Sequence, residues 1–296
     1  MMIKLDFIPH IREYTIISKI QAGYSGDNKY KLEKEGKFYL LRVGDKVTVD
    51  IKQKEFQHLR LFENTDVNTH QPIDFGVVGD KFYSIVTWVE GTPLMDVIKK
   101  DVTKDYYELG KKVGAVLRKL HQISCTDEKT DWYSVIKEKA EHILNVYRSM
   151  NIRIENRYAE EYILNNLELV KGRQNVLLHG DFHWENCVLD NDEQIGVIDF
   201  SGNNIGDPWY EFGNMMWVLE YSESFTNGQL DGYFDTIPIE FWRVFKLYTA
   251  LYAFEHLSYD NGDDTESRIF NSTRMLRLFG DDFKEDIPLF RKNFKS

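Results

Sequence analysis

The chain has 296 residues, a hydrophobic fraction of 42% and a net charge of -11, so it can form one large domain or two smaller ones. The acidic balance argues against nucleic acid as a partner, because phosphate backbones bind clustered Lys and Arg. The start lacks the apolar segment of a signal peptide, and no apolar run approaches the ~20 residues that span a bilayer. A cytoplasmic protein without a membrane partner is therefore expected.

Residues 1–91 are rich in predicted strands. β-branched and alternating runs, separated by Gly and Asp, predict strands over 14–21, 29–32, 38–43, 73–78 and 82–89. Residues 52–62 interrupt this pattern and are predicted to be helical. Glu55 is the acid in the middle of that helix, and we expect it to pair with Arg42 on the preceding strand. The alternative is a surface arginine and a helical glutamate that never meet.

Residues 23–28 form a turn between the first two predicted strands. Glycine permits close approach of a backbone to phosphate groups, so Ser25, Gly26 and the neighbouring amides are candidate phosphate contacts. The turn is not a G-x-G-x-x-G motif. A plain hairpin turn would explain it without any ligand.

The pattern changes to helices after residue 91. Pro93 ends the last strand, and helices are predicted over 95–100, 106–122, 132–150 and 156–170, with a helical and aromatic region from residue 217 onward. We therefore predict a boundary between 1–91 and 92–296. Cys125 and Cys187 are too far apart in sequence to indicate a disulfide framework or a zinc site, and Cys187 is expected in the core.

The most informative segment is His-Gly-Asp-Phe-His-Trp-Glu-Asn at 179–186, followed by Ile-Asp-Phe at 198–200. Asp181 and Asn186 lie on a predicted loop between apolar stretches, and Asp199 follows a short predicted strand. Asn186 and Asp199 can share a Mg²⁺ ion, which prefers oxygen ligands. Asp181 is then available as the base that accepts or orients the proton of an acceptor hydroxyl. This division of roles is typical of γ-phosphoryl transfer.

These motifs resemble the signature of the aminoglycoside phosphotransferase and choline kinase superfamily, distant relatives of the protein kinases. Residues 39–43 resemble its strand with a phosphate-facing cation, 88–91 its interlobe hinge, and 205–212 the stretch after the metal-binding aspartate. The resemblance covers nearly the whole chain. It implies an α+β, two-lobed protein-kinase-like fold, with an N-terminal antiparallel sheet carrying one helix and a larger, mainly helical C-terminal lobe.

The resemblance also implies site residues and a donor. Arg42 would grip nucleotide phosphates, and the backbone near Trp88, Val89 and Glu90 would contact the base of ATP or GTP. Residues 1–91 would form the nucleotide-binding lobe, and residues 92–296 the catalytic and acceptor-binding lobe. Arginine departs from the lysine of protein kinases, and Gly180 replaces their arginine, so regulation by activation-loop phosphorylation is not expected.

The acceptor is expected to be a cationic small molecule. Residues 174–242 contain Asp and Glu but no Lys or Arg, so this stretch is acidic. A second acidic cluster comprises Glu255, Asp260, Asp263, Asp264 and Glu266. Such a field attracts Mg²⁺ and cations, although acidic residues also simply solvate loops. An aminoglycoside-type antibiotic is the leading acceptor, which would make the protein a resistance enzyme, acting as a monomer or dimer. The alternatives are a metabolic kinase for choline, an amino alcohol or a sugar, and a nucleotide-binding regulatory module with little turnover.

Overall fold

The structure, a computed structural model, describes residues 5–21, 26–123, 130–150, 152–154, 157–200, 205–258 and 264–294. The chain divides into two compact units. The first contains residues 1–94, 179–181 and 185–204, and the second contains 95–178, 182–184 and 205–296. The first unit therefore combines the N-terminal region with most of the motif segment found in the sequence.

The elements are numbered in chain order. The N-terminal region contains β1 (Thr15–Ile20), β2 (Asn28–Lys34), β3 (Lys37–Asp45), α1 (Val49–Leu59), β4 (Asn68–Thr69), β5 (Pro72–Val78), β6 (Lys81–Thr87) and β7 (Thr92–Pro93). They are followed by α2 (Leu94–Lys100), α3 (Tyr107–His121), α4 (Trp132–Ser149), α5 (Arg157–Asn166), β8 (Val176–Leu177), β9 (Cys187–Leu189), β10 (Ile195–Val197) and β11 (Ile205–Gly206). The last elements are α6 (Met216–Leu219), α7 (Glu223–Tyr233), α8 (Ile239–Ser258), α9 (Thr265–Arg277) and α10 (Leu289–Lys292).

The large sheet of the first unit has the strand order β1-β2-β3-β6-β5, and every neighbouring pair is antiparallel. All five predicted strands are present. Glu35 and Gly36 both have positive φ and form the two-residue turn between β2 and β3. This turn fixes the register, in which Lys29 lies directly opposite Arg42. One face of the sheet contributes the fully buried Leu32 and Leu41 to the core.

Helix α1 packs on this unit through an apolar stripe. Phe56 and Leu59 are buried, and the ring of Phe56 lies 5.4 Å from the ring of Phe75 on β5. A 3-10 turn, Arg60–Phe62, continues α1, so the predicted helix over 52–62 is confirmed with an earlier start. Lys52 and Glu55 precede Phe56 and Leu59 with the i, i+3, i+4 and i+7 spacing of one helix face, so this face of α1 carries both the buried stripe and the two charged side chains.

A second, smaller sheet of the first unit has the order β4-β10-β9-β7. β9 and β10 form an antiparallel hairpin in which Val197 lies opposite Cys187, and β4 runs parallel to β10. The carboxylate of Asp190 accepts hydrogen bonds from the amides of Asp192 and Gln194 and so stabilises the hairpin turn. Cys187 is fully buried, as predicted. The hairpin carries the motif residues at its open end.

The second unit contains a close contact between α3 and α7. A Cβ placed on Gly114 of α3 would lie 2.0 Å from the carbonyl oxygen of Gln229, and one on Gly110 would lie 2.1 Å from that of Phe225. On α7, a Cβ placed on Gly228 would lie 2.1 Å from the carbonyl oxygen of Tyr107, and one placed on Gly232 would lie 2.1 Å from that of Lys111. Any side chain larger than hydrogen at these four positions would separate the helices. We call this set the glycine contact.

Asp207 organises the core of the second unit. It begins the 3-10 helix Pro208–Met215 as its cap and accepts a hydrogen bond from the amide of Trp209 at 3.1 Å. Its buried carboxylate also accepts hydrogen bonds from Tyr248, at 2.7 Å, and from Arg173.

Among the described helices, none combines the length and the apolar character needed to cross a membrane.

Candidate functional site

Asp199 lies at the open end of the β9–β10 hairpin. The amide of Ile198 donates a hydrogen bond to the carbonyl oxygen of Asn186 at 2.9 Å, so the hairpin ladder continues to the residue before Asp199. Asp199 itself has φ +64°, in the left-handed region that few residues other than glycine adopt. This turn of the backbone ends the strand. Asn186 and Asp199 are consequently held at the same end of one hairpin.

Two cations hold the carboxylate of Asp199. Arg42 donates a hydrogen bond to its Oδ1, and the ammonium of Lys29 lies 3.3 Å from its Oδ2. Lys29 and Arg42 are opposite each other on β2 and β3, so their side chains project from the same face of the sheet. Burial raises the pKa of Asp199, but the two cations outweigh burial and hold this pKa well below its usual range. The carboxylate is therefore fully ionised at neutral pH.

Asp181 is linked directly to Asn186. The side-chain nitrogen Nδ2 of Asn186 donates hydrogen bonds to the backbone oxygen of Asp181 at 2.9 Å and to its carboxylate Oδ2 at 3.0 Å. Gly180, with φ +83°, provides the left-handed backbone that turns the chain before Asp181. These bonds fix the orientation of the Asn186 amide, whose oxygen is the atom able to ligate a metal ion.

His179 joins the two segments of the motif. Its Nδ1 accepts a hydrogen bond from the amide of Asp181 at 3.2 Å, so its Nε2 carries the proton and donates to the carbonyl oxygen of Ile198 at 2.8 Å. The ring is fully buried and lies 4.4 Å from the ring of Phe200. His179 thereby connects the residue before Asp199 to the loop of Asp181. Both ring nitrogens of His179 are therefore engaged in hydrogen bonds to the backbone.

The expected pair of Arg42 with Glu55 is not formed. Glu55 instead accepts hydrogen bonds from Lys52, at 2.8 and 2.9 Å, and Arg42 bonds to Asp199. Lys52 stands three positions before Glu55 on α1, where side chains are neighbours on one helix face, and this local partner replaces the distant one. Lys52 also lies 4.0 Å from the carboxylate of Asp27, which belongs to the predicted turn of residues 23–28.

A small cavity of about 40 Å³ lies among these groups, and its polar lining includes Arg42, Lys52, Glu55, His70, Ser84 and Asp199. The volume is room for a few water-sized groups and not for a nucleotide. Burial lowers the pKa of His70 to about 4, although the hydrogen bond of its Nδ1 with the carbonyl oxygen of Thr87 opposes the shift. His70 is thus neutral at physiological pH and adds no positive charge beside Arg42.

The other candidate nucleotide contacts lie in two segments. Ser25 falls outside the described residues, whereas Gly26 is exposed, with nothing within 4 Å of the place where a Cβ would stand. The amide of Trp88 donates a hydrogen bond to the carbonyl oxygen of Phe38 at 3.0 Å, and Val89 is buried. Glu90 lies 3.9 Å from the ammonium of Lys31. The structure brings Arg42 to Asp199 and leaves residues 88–90 in a separate stretch of the same unit.

The oxygen donors of the hairpin fit a magnesium ion. In the described ranges, no three His, Cys, Asp or Glu side chains cluster as a site for zinc would require. Asn186 and Asp199 offer one amide oxygen and one ionised carboxylate. Mg²⁺ retains several waters and is held in nucleotide sites by one or two carboxylates with phosphate oxygens, so two protein ligands suffice.

Two residues of the second acidic cluster, Glu255 and Asp264, contact other residues of the protein. Glu255 forms an ion pair with Lys139 at 2.8 Å, and Asp264 caps α9 by accepting a hydrogen bond from the amide of Ser267 at 2.9 Å. Asp260 and Asp263 lie outside the described residues. For the two acids with these partners, local stabilisation accounts for their positions.

Two residues of the site were not anticipated from the sequence. Lys29 contacts Asp199, and Lys52 contacts Glu55 and Asp27. The signal for Lys29 was present in the two-residue turn at Glu35 and Gly36, because counting back from it places Lys29 opposite Arg42. The signal for Lys52 was its i,i+3 spacing from Glu55.

A family model described as the phosphotransferase enzyme family matches residues 16–246. No curated protein sequence matches the chain significantly. A thermostable mutant of aminoglycoside phosphotransferase APH(4)-Ia, in ternary complex with ADP and hygromycin B, is 18% identical over 89% of this chain and 94% of that chain, with a TM-score of 0.69.

Two further solved structures are similar. The streptomycin-ATP-APH(2″)-IIa ternary complex is 17% identical over 90% of this chain and 94% of that chain, with a TM-score of 0.63. A putative fructosamine-3-kinase from Haemophilus somnus 129PT is 14% identical over 88% of this chain and 92% of that chain, with a TM-score of 0.60. At these identities the likeness shows the fold. It confirms the predicted α+β, protein-kinase-like class, with an antiparallel N-terminal sheet and a mainly helical C-terminal part.

Proposed function

The chain belongs to the phosphotransferase enzyme family, and on that premise we propose that it transfers the γ-phosphate of ATP or GTP to a hydroxyl group of a small molecule. One observation carries this proposal. Asp181, Asn186 and Asp199 are joined through one short hairpin, by the Asn186 to Asp181 bonds and the Ile198 to Asn186 bond. This arrangement supplies a base and two oxygen ligands in one place.

In the proposed reaction, Asp181 orients the acceptor hydroxyl and takes its proton. The hydroxyl oxygen forms a bond to the γ-phosphorus, and the bond from that phosphorus to the bridging oxygen of the β-phosphate breaks, releasing ADP or GDP. Positioning contributes much of the acceleration, because the transition state is loose. The bonds from Asn186 and His179 hold the loop of Asp181 in place for this step.

Asn186 and Asp199 would hold Mg²⁺, which when bound neutralises charge on the phosphates. Arg42 would contact the phosphates, together with Ser25 and Gly26 of the predicted turn 23–28, and residues 88–90 would contact the base. We assign Glu55 an indirect part, since it holds Lys52 beside Asp27. Nucleotide binding would then reside in residues 1–91, and catalysis and acceptor binding in residues 92–296.

The acceptor we favour is an aminoglycoside-type antibiotic. Two of the similar structures contain hygromycin B or streptomycin, and the acidic stretch 174–242 suits a polycationic ligand. A second candidate is a metabolic kinase for a sugar, choline or an amino alcohol, which the likeness to a putative fructosamine-3-kinase supports. The presence of Asp181, Asn186 and Asp199 argues against a regulatory module without turnover, because such proteins usually lack one of these groups.

The test is acceptor-dependent release of ADP and GDP by the purified protein with Mg²⁺. The panel contains aminoglycosides, choline, amino alcohols and sugars, and Asp181→Ala is the inactive control. Release with an aminoglycoside would support the favoured acceptor, and release with a metabolite alone would move the proposal to the second candidate. Nucleotide binding without turnover on any acceptor would contradict the enzymatic proposal and favour the regulatory module.

A further inference from the structure

We propose that Lys29 is a second phosphate-binding cation, which holds the anionic phosphates of the nucleotide together with Arg42. This inference rests on the proposed function and adds to it a residue from β2. It begins from the contact of the Lys29 ammonium with the carboxylate of Asp199 at 3.3 Å.

Burial distinguishes Lys29 from the other lysines of its strand. Its side chain is 9% exposed, against 22% for Lys31 and 31% for Lys34, which lie on the same strand. A lysine is rarely buried unless its charge has a partner, because removing an ammonium from water is costly. The position of Lys29 therefore requires an anion inside the site.

The register of the sheet places two positive charges side by side. Lys29 and Arg42 are direct cross-strand partners, and like charges in such a pair repel each other. Asp199 lies between them and contributes one negative charge for two positive ones. The pair is therefore suited to an additional anion at the same place.

The proposed role of Asp199 as a metal ligand strengthens this requirement. If Asp199 held Mg²⁺, its carboxylate would give up part of its contact with Lys29 and Arg42. The phosphate oxygens of the same nucleotide can replace it, since both side chains bind phosphate well. Lysine offers a compact charge on a flexible stem, and arginine offers a rigid fork, so the two can contact different oxygens.

The experiment measures dissociation constants of adenosine, ADP and ATP, and of the guanosine series, by displacement of a fluorescent nucleotide. It compares the wild type with Lys29→Met, Lys29→Gln and Lys29→Arg, each with EDTA and with Mg²⁺. Lys34→Met is the matched control, because Lys34 is on the same strand and pairs with Glu13. We expect the Met and Gln variants to bind ADP and ATP roughly ten- to hundredfold more weakly, with adenosine unchanged, and the Arg variant to recover most of the affinity.

Equal losses for the nucleoside and the nucleotides, or no loss, would overturn the inference and leave Lys29 a structural residue. A loss seen with Mg²⁺ and absent with EDTA would also overturn it, because Lys29 would then act through Asp199. Thermal unfolding of each variant reports folding, and Lys29→Gln and Lys29→Arg decide the question if Lys29→Met does not fold. A wild type that binds neither nucleotide series would instead refute the proposed function itself.

Discussion

Arg42 donates a hydrogen bond to the carboxylate of Asp199 across 157 positions of sequence. The bond connects β3 of the large sheet to the end of the β9–β10 hairpin of the same unit. This charged pair couples the position of Asp199, the proposed metal ligand, to that of Arg42, which is proposed to contact the phosphates. It also makes the ionisation of Asp199 part of the stability of the first unit.

Asp199→Asn should change the pH dependence of stability. The pKa of Asp199 is lower in the folded protein than its ordinary value of about 3.9. The paired carboxylate therefore stabilises the fold above that ordinary value, and the stabilisation is lost as the pH falls through the lower, folded pKa. We expect the free energy of unfolding to fall more steeply with acid in the wild type than in Asp199→Asn, measured by urea denaturation between about pH 6 and about pH 2.5.

Asp192→Asn is the matched control, because it makes the same change at an exposed position of the same hairpin. It should keep the acid sensitivity of the wild type. At neutral pH, Asp199→Asn should lower the free energy of unfolding by about 1.5–3 kcal/mol, the usual contribution of a hydrogen bond to a charged group. Parallel pH curves for the wild type and Asp199→Asn would contradict the assignment of this ion pair.

Asp181→Asn should remove phosphoryl transfer and preserve nucleotide binding. The amide keeps the shape of the carboxylate and can still accept the hydrogen bond from Asn186, but it is not a base. We expect kcat to fall about 10²- to 10⁴-fold, the range typical for loss of a general base. Single-turnover kinetics and nucleotide titration check the two parts separately. Substantial turnover by Asp181→Asn, with the fold intact, would exclude Asp181 as the base.

His179→Ala should reduce stability and activity together. The change leaves the carbonyl oxygen of Ile198 and the amide of Asp181, both partly buried, without the ring nitrogens that bond them, at a cost of about 1–3 kcal/mol in the free energy of unfolding for each unsatisfied group. Asparagine places a polar atom near the Nδ1 position, so His179→Asn should recover part of kcat by restoring the bond to Asp181. Equal activity of the Ala and Asn variants would show that this bond does not position the loop.

Gly114→Ala should destabilise the second unit without any change at the proposed site. The added methyl group would lie 2.0 Å from the carbonyl oxygen of Gln229, so α3 and α7 must separate. We expect a loss of about 3 kcal/mol in the free energy of unfolding, at the upper end of the costs of overpacking. Chemical denaturation measures it, and Glu108→Ala on the exposed face of α3 is the control that should change little. A stability equal to that of the wild type would contradict the glycine contact.

The sequence predicted the five strands of the large sheet, the helix beside them and the fold class, because their periodicity and motifs are local properties of the chain. The cap at Asp207 is a local feature of the same kind, since an aspartate before a proline is a favourable start of a helix. The strands β4, β7, β8 and β11 were not predicted. Each has two residues, too few to show an alternating pattern, and depends on partners far away in sequence.

The partners of charged side chains were the least predictable part of the site. The expected Arg42 and Glu55 pair assumed that a strand and the following helix would exchange charges, whereas α1 supplies Lys52 to Glu55 from its own preceding turn. Arg42 was then available for Asp199, whose position depends on a hairpin more than a hundred residues later. Sequence patterns indicate which groups are charged, but the choice among partners depends on tertiary packing.

Local opening of the short β9–β10 hairpin would be enough to abolish the proposed chemistry. Asp181, Asn186 and Asp199 depend on its three-residue strands and on the bond between Ile198 and Asn186. Short segments open locally at a lower free energy than that of global unfolding. Opening of this hairpin would disconnect the base and both metal ligands in one event while the large sheet and the helices remain folded. Heat inactivation would then precede melting, with the amide of Ile198 exchanging its hydrogen at the temperature at which activity is lost.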